Sequence, residues 1–85
     1  MVVSEATVDE LHRRVARHIR ERAQGKNIPL SHLPDRAAVA RSHFWEVLGG
    51  RKSPTLNWLG RIAAALEVDP ADLLARDPRT PPRRG

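Results

Sequence analysis

The most informative segment of the chain is residues 37–54, which read AAVARSHFWEVLGGRKSP. Apolar side chains recur there at Phe44, Val47 and Leu48, a spacing that places them on one face of an α-helix. The polar residues between them then face outward, and a pair of glycines follows. The segment therefore predicts a short helix that packs on one side, is exposed on the other and lies between two turns.

The composition predicts one small domain. The chain has 85 residues, 40% of them apolar, which allows a modest core but leaves no room for a deep catalytic cavity. Cysteine is absent, which excludes disulfides and thiolate chemistry and favours the cytoplasm. We expect no membrane partner, because the sequence has neither a basic leader nor an apolar run of about 18 residues.

The net charge of +5 is unevenly placed. Residues 1–26 contain six cations and four carboxylates, residues 27–75 contain five of each, and residues 76–85 contain four cations and one carboxylate. A polyanion is the natural partner for the basic parts, although the same charge is compatible with ordinary solubility.

Start and stop signals predict the first two helices. A capping box from Thr7 to Glu10 opens a helix expected over about residues 8–24, with an apolar stripe and Arg20 among its exposed cations. A second, short helix follows, for which Ser31 is the expected cap and Pro34 a first-turn residue or a local defect.

Three further helices complete the predicted set. The third opens near Ala40 and runs to Leu48, about three residues after the second, which suits a helix-turn-helix. Thr55 is placed to cap the fourth and Asp69 the fifth. We expect a flexible N-terminus over residues 1–6, an all-α domain over residues 7–75, and a basic, flexible Pro/Arg-rich tail over residues 76–85.

Over about residues 19–74 the sequence resembles the lambda-repressor-like DNA-binding family, the Cro/repressor or xenobiotic-response-element type of helix-turn-helix. The matching motifs are Ile19-Arg20-Glu21, Leu33, Arg36-Ala37, Val39, Arg41-Ser42, Gly50-Arg51-Lys52, Pro54-Thr55-Leu56, the run 61–66 and the run 68–74. The resemblance implies a compact bundle of five helices whose third helix, about residues 41–48, lies in the DNA major groove.

The resemblance also implies which residues touch DNA. The expected base contacts are Arg41, Ser42, Trp45 and Glu46, and the expected phosphate contacts are Arg20, Arg51 and Lys52. Arg41 can donate to guanine O6 and N7, and Glu46 can accept from cytosine N4. Glu46 has an alternative role as an intrahelical partner of Arg41 or Ser42. Trp45 has two alternatives to base contact, covering the domain's own surface or a protein partner.

Two further expectations concern packing. A homodimer is expected, with Trp58, Ala65 and the region of helices four and five as the candidate surface, unless Trp58 covers the core. Ala38 occupies a turn position where the family usually has glycine, so a positive φ there would cost about 1 kcal/mol.

Catalytic and metal chemistry are not expected. His12, His18, His32 and His43 do not form a ligand cluster, and no nucleophile motif or phosphate loop accompanies them. We therefore expect no enzyme, no cofactor and no metal. The predicted function is a transcriptional regulator that binds double-stranded DNA sequence-specifically. The alternative is a protein-interaction adaptor on the same scaffold that has lost or weakened DNA binding.

Overall fold

Five α-helices follow one another along residues 5–75, the part of the chain that the computed structural model describes, with side chains from residue 7. They are α1 (Glu5–Gly25), α2 (Leu33–Ala37), α3 (Arg41–Leu48), α4 (Leu56–Leu66) and α5 (Pro70–Leu74), with a 3-10 turn (Leu30–His32) leading into α2. No strand occurs within this range. The described part is thus all-α, as the sequence predicts, while the expected tail over residues 76–85 lies outside it.

The helices enclose one core. α1 packs against α5, α3 and α4, and α2 packs against α4 and α3. Every helix contributes fully buried side chains, including Ile19, Leu33, Phe44, Ile62, Leu66 and Leu73. His18 is the buried polar residue on α1, and its Nδ1 lies 3.1 Å from the Leu73 carbonyl oxygen. With the proton on Nδ1, this bond pairs the ring with the α5 backbone.

Two of the predicted N-caps are confirmed. Thr55 Oγ1 accepts from the Trp58 amide at 3.0 Å, and Asp69 Oδ1 accepts from the Ala71 amide at 2.8 Å. Each oxygen satisfies an amide that has no partner within its own helix. Pro70 takes the first position of α5, where its missing N–H costs nothing.

Two predicted helix starts are wrong. α1 already includes residues 5–6, so Thr7 lies inside the helix and does not cap it, and the boundary expected after residue 6 falls within α1. Glu and Ala are good helix formers, so nothing at residues 5–6 stops the helix. Ser31 lies inside the 3-10 turn, and neither this turn nor α2 has a side-chain cap. Pro34 is tolerated because it lies in the first turn of α2.

The first four helices end in the same hydrogen-bonded motif, in which a residue of positive φ is followed by an amide that bonds five residues back. The positive-φ residues are Asn27 (φ 58°), Ala38 (φ 57°), Gly50 (φ 80°) and Glu67 (φ 59°). The amide-to-carbonyl distances are Ile28 to Ala23, 2.9 Å; Val39 to Pro34, 3.0 Å; Arg51 to Glu46, 2.8 Å; and Val68 to Ala63, 3.0 Å. Ala38 therefore adopts the positive φ for which the sequence analysis expects a cost of about 1 kcal/mol.

Candidate nucleic-acid interface

The helix α3 has one buried face and one exposed face. Phe44, Val47 and Leu48 are 0%, 3% and 6% exposed, which confirms their predicted place in the core. Arg41 and Ser42, in the first turn of the helix, are exposed. Because α3 follows α2 after a turn of only three residues, the position of its exposed face is fixed by the packing of both helices.

Arg41 is paired with a residue of the preceding helix. Its Nη2 donates to Asp35 Oδ2 at 2.7 Å, and the two side chains are 61% and 64% exposed. An ion pair this exposed contributes little to stability. In this pair the guanidinium keeps further N–H donors for another acceptor. The sequence analysis did not predict Asp35, although its place six residues before Arg41, across a short turn, is a usable signal.

Glu46 is paired with the loop that follows α3. Its carboxylate lies 3.8 Å from Lys52 Nζ. Its carbonyl oxygen also accepts from the backbone amides of Arg51 and Lys52, at 2.8 Å and 3.3 Å. The partner that the structure gives to this carboxylate is thus Lys52 rather than the expected Arg41 or Ser42. This pairing places a positive and a negative charge together at the C-terminal end of the exposed face.

Trp45 is the large apolar side chain on the exposed face of α3. It is 43% exposed, and its ring meets the Phe44 ring edge-on with 5.0 Å between centroids. Part of the indole therefore covers the domain's own core, and the remainder stays available to a partner.

The expected phosphate-contacting residues lie on two elements. Arg20 is exposed on α1, and Arg51 and Lys52 are exposed in the loop after α3. This loop is tied to α1 by a hydrogen bond between Ser53 Oγ and His12 Nε2, 3.1 Å long. The bond joins the loop to a helix 41 residues away in sequence, which single-sequence spacing does not predict.

Trp58 does not belong to a dimer surface, contrary to expectation. It is 4% exposed, with its ring centroid 6.1 Å from that of Phe44 and 6.2 Å from that of His43. The cause is its place in the apolar stripe of α4, four residues before Ile62 and eight before Leu66. The alternative, that Trp58 covers the core, is correct. Ala65 is half-buried and packs against the core from the same helix.

The described residues contain neither a metal-binding cluster nor a membrane-spanning helix. No group of three or more His, Cys, Asp or Glu side chains in residues 7–75 is arranged to hold a metal ion. Within the same part of the chain, no helix is both long enough and apolar enough to cross a bilayer.

Comparisons with known proteins identify no relative. The chain matches no protein-family model, no curated protein and no solved structure. The interpretation of this surface therefore depends on its own residues and geometry.

Proposed function

We propose that this chain is a sequence-specific DNA-binding domain of a transcriptional regulator, with a lambda-repressor-like helix-turn-helix formed by α2 and α3. In this proposal α3 lies in the major groove of double-stranded DNA. The observation that carries the proposal is the exposed face of α3, where Arg41 and Ser42 face solvent on a helix whose other side is in the core. A helix of this kind fits the width of the major groove.

Each exposed side chain has a role in the proposal. Arg41, which also pairs with Asp35, donates to the O6 and N7 of a guanine. Ser42 bonds a neighbouring base or phosphate, and Trp45 contacts a thymine methyl group or a sugar. Glu46 accepts from a cytosine N4 only after it separates from Lys52. Lys52, together with Arg51 and Arg20, then contacts phosphates, which contribute affinity without sequence choice.

The proposed assembly is a homodimer on a two-fold site, with half-sites about 34 Å apart. Because Trp58 is buried, the candidate dimer surface is reduced to Ala65 and the exposed parts of α4 and α5.

A selection from random duplex DNA at fixed salt tests this proposal, and anisotropy measurements then compare the selected duplex with a scrambled one. We expect a selected sequence with a two-fold repeat. Arg41→Ala should weaken binding to that sequence roughly 5- to 150-fold and relax the choice at one base pair, because a bidentate contact is worth about 1–3 kcal/mol.

The matched control is Arg22→Ala, which removes the same charge from an exposed position on α1 that is distant in sequence from the proposed reading face. We expect it to leave base preference unchanged. Equal affinity of the wild type for selected and scrambled duplexes would contradict sequence-specific binding. A selected site without a two-fold repeat would contradict the dimer.

A protein-interaction adaptor is the second candidate. It is favoured by two exposed apolar side chains, Trp45 at 43% and Leu56 at 82%. An adaptor of this kind would bind duplex DNA with neither sequence choice nor the steep salt dependence of phosphate contacts. The same selection therefore separates the two candidates.

A further inference from the structure

An open groove of about 390 Å³ lies between residues 9–20 of α1 and the C-terminal end of α3. Leu48 and Ala16 contribute apolar atoms to it, and Gly49 and Gly50 line its α3 side. A Cβ atom placed on Gly50 would meet no other atom within 4 Å, so this side of the groove is not filled by the domain itself.

The α1 side of the groove carries a row of cations. Arg13, Arg17 and Arg20 all line it, and His12 lies beside them. The spacing of four and three residues places the arginines on one face of the helix. Within residues 7–75 neither Arg13 nor Arg20 is engaged in an ion pair or a side-chain hydrogen bond. These two charges are therefore available to an outside anion.

The groove is continuous with the loop that carries Arg51 and Lys52. Gly50 is a lining residue of the groove and the immediate neighbour of Arg51. The hydrogen bond between His12 and Ser53 holds the far end of the same loop against α1. The arginines of α1 thus line a groove that ends at the loop carrying Arg51, while Lys52 in the same loop is paired with Glu46.

We propose that this groove holds the phosphate backbone of one DNA strand while α3 occupies the adjacent major groove. This inference rests on the proposed function and adds a second contact strip that uses Arg13 as well as Arg20. Seven residues separate the two arginines, so their backbones lie about 10 Å apart along α1. That separation is larger than one small anion, so the two arginines suit separate phosphates of a polyanion better.

Asp9 is the opposing charge, because this residue also lines the groove. It would repel a phosphate backbone, so its removal should strengthen binding. This gives the proposal a variant whose expected gain cannot be produced by a folding defect.

The experiment measures binding of the full chain to a labelled random-sequence duplex at several salt concentrations. No operator is needed, because phosphate contacts do not depend on sequence. The variants are R13Q, the double variant R13Q/R20Q and D9N. R22Q is the matched control, because Arg22 is an exposed arginine of α1 that does not line the groove.

Each lost phosphate contact should weaken binding roughly eightfold near 0.1 M salt and reduce the slope of log K against log salt by about 0.9. R13Q should lose one phosphate contact and R13Q/R20Q should lose two. D9N should bind the duplex more tightly than the wild type. R22Q should change the affinity less than R13Q does. Inorganic phosphate, added at constant ionic strength, should not abolish the difference between the wild type and R13Q.

Three results would overturn the inference. R13Q and R22Q could change binding equally, D9N could leave it unchanged, or inorganic phosphate could remove the Arg13 contribution, which would make the groove a small-anion site. In each of these cases the wild type still binds duplex DNA, so the proposed function is not contradicted. A wild type that binds no duplex at low salt would instead contradict both proposals.

Discussion

The C-terminal end of α3 differs from the ends of α1, α2 and α4, although all four share one hydrogen-bonding pattern. After α1, α2 and α4, the residue that closes the motif is aliphatic, namely Ile28, Val39 and Val68, and each packs into or against the core. After α3 the equivalent residue is Arg51, which is exposed.

The residues of positive φ differ in the same way. Ala38 and Glu67 take a left-handed conformation that costs such residues of the order of 1 kcal/mol, and Asn27 takes it at lower cost because asparagine adopts it more readily. At the end of α3 the residue is Gly50, for which this conformation is unstrained. The ends of α1, α2 and α4 thus combine a non-glycine residue of positive φ with apolar packing. The end of α3 has neither, which leaves its closing residue free to contact a partner without loss of core packing.

The largest change in the free energy of unfolding should come from substituting the residue that closes the motif. Ile28→Ala should lower the free energy of unfolding by about 2–3 kcal/mol, because it removes a buried aliphatic side chain. Arg51→Ala should change it by less than about 0.5 kcal/mol, because the side chain is exposed. Urea denaturation of the two variants measures the difference. Comparable destabilisation by both would show that the α3 end packs like the others.

Substitutions at the residues of positive φ should change the free energy of unfolding by a smaller amount. Gly50→Ala should cost about 1 kcal/mol, purely from backbone conformation, because the added methyl group meets no atom within 4 Å. Ala38→Gly should stabilise the domain by about 0.5–1 kcal/mol, which would raise the melting temperature by several degrees. Thermal unfolding of the two variants measures both. The contrast between the helix ends would fail if the two substitutions shifted the melting temperature in the same direction.

The elements of the fold could largely be predicted from local chemistry. The caps Thr55 and Asp69, the three-residue turn before α3 and the buried face of α3 all depend on residues within one or two turns of each other. The first-turn position of Pro34 also follows from its missing N–H. Short-range rules of this kind can be applied to a single sequence without knowing which helices contact one another.

The remaining features depend on contacts between distant elements. For Trp58 the sequence leaves a dimer surface and the core as alternatives, and its spacing to Ile62 and Leu66 favours the core, where the structure places it. The groove could not be predicted from one helix, since it needs Arg13 beside Gly50, 37 residues later in the sequence. The hydrogen bond between His12 and Ser53 also joins residues that are distant in sequence, so it could not be predicted either.

The measurement that tests the central claim most directly is amide chemical-shift mapping of the isotopically labelled chain during titration with a selected duplex. The account predicts the largest shifts at residues 41–46 of α3 and in the loop over residues 49–53, with little change in α5. Large shifts confined to α4 and α5, or no shifts at saturating duplex, would contradict the claim that the exposed face of α3 reads DNA.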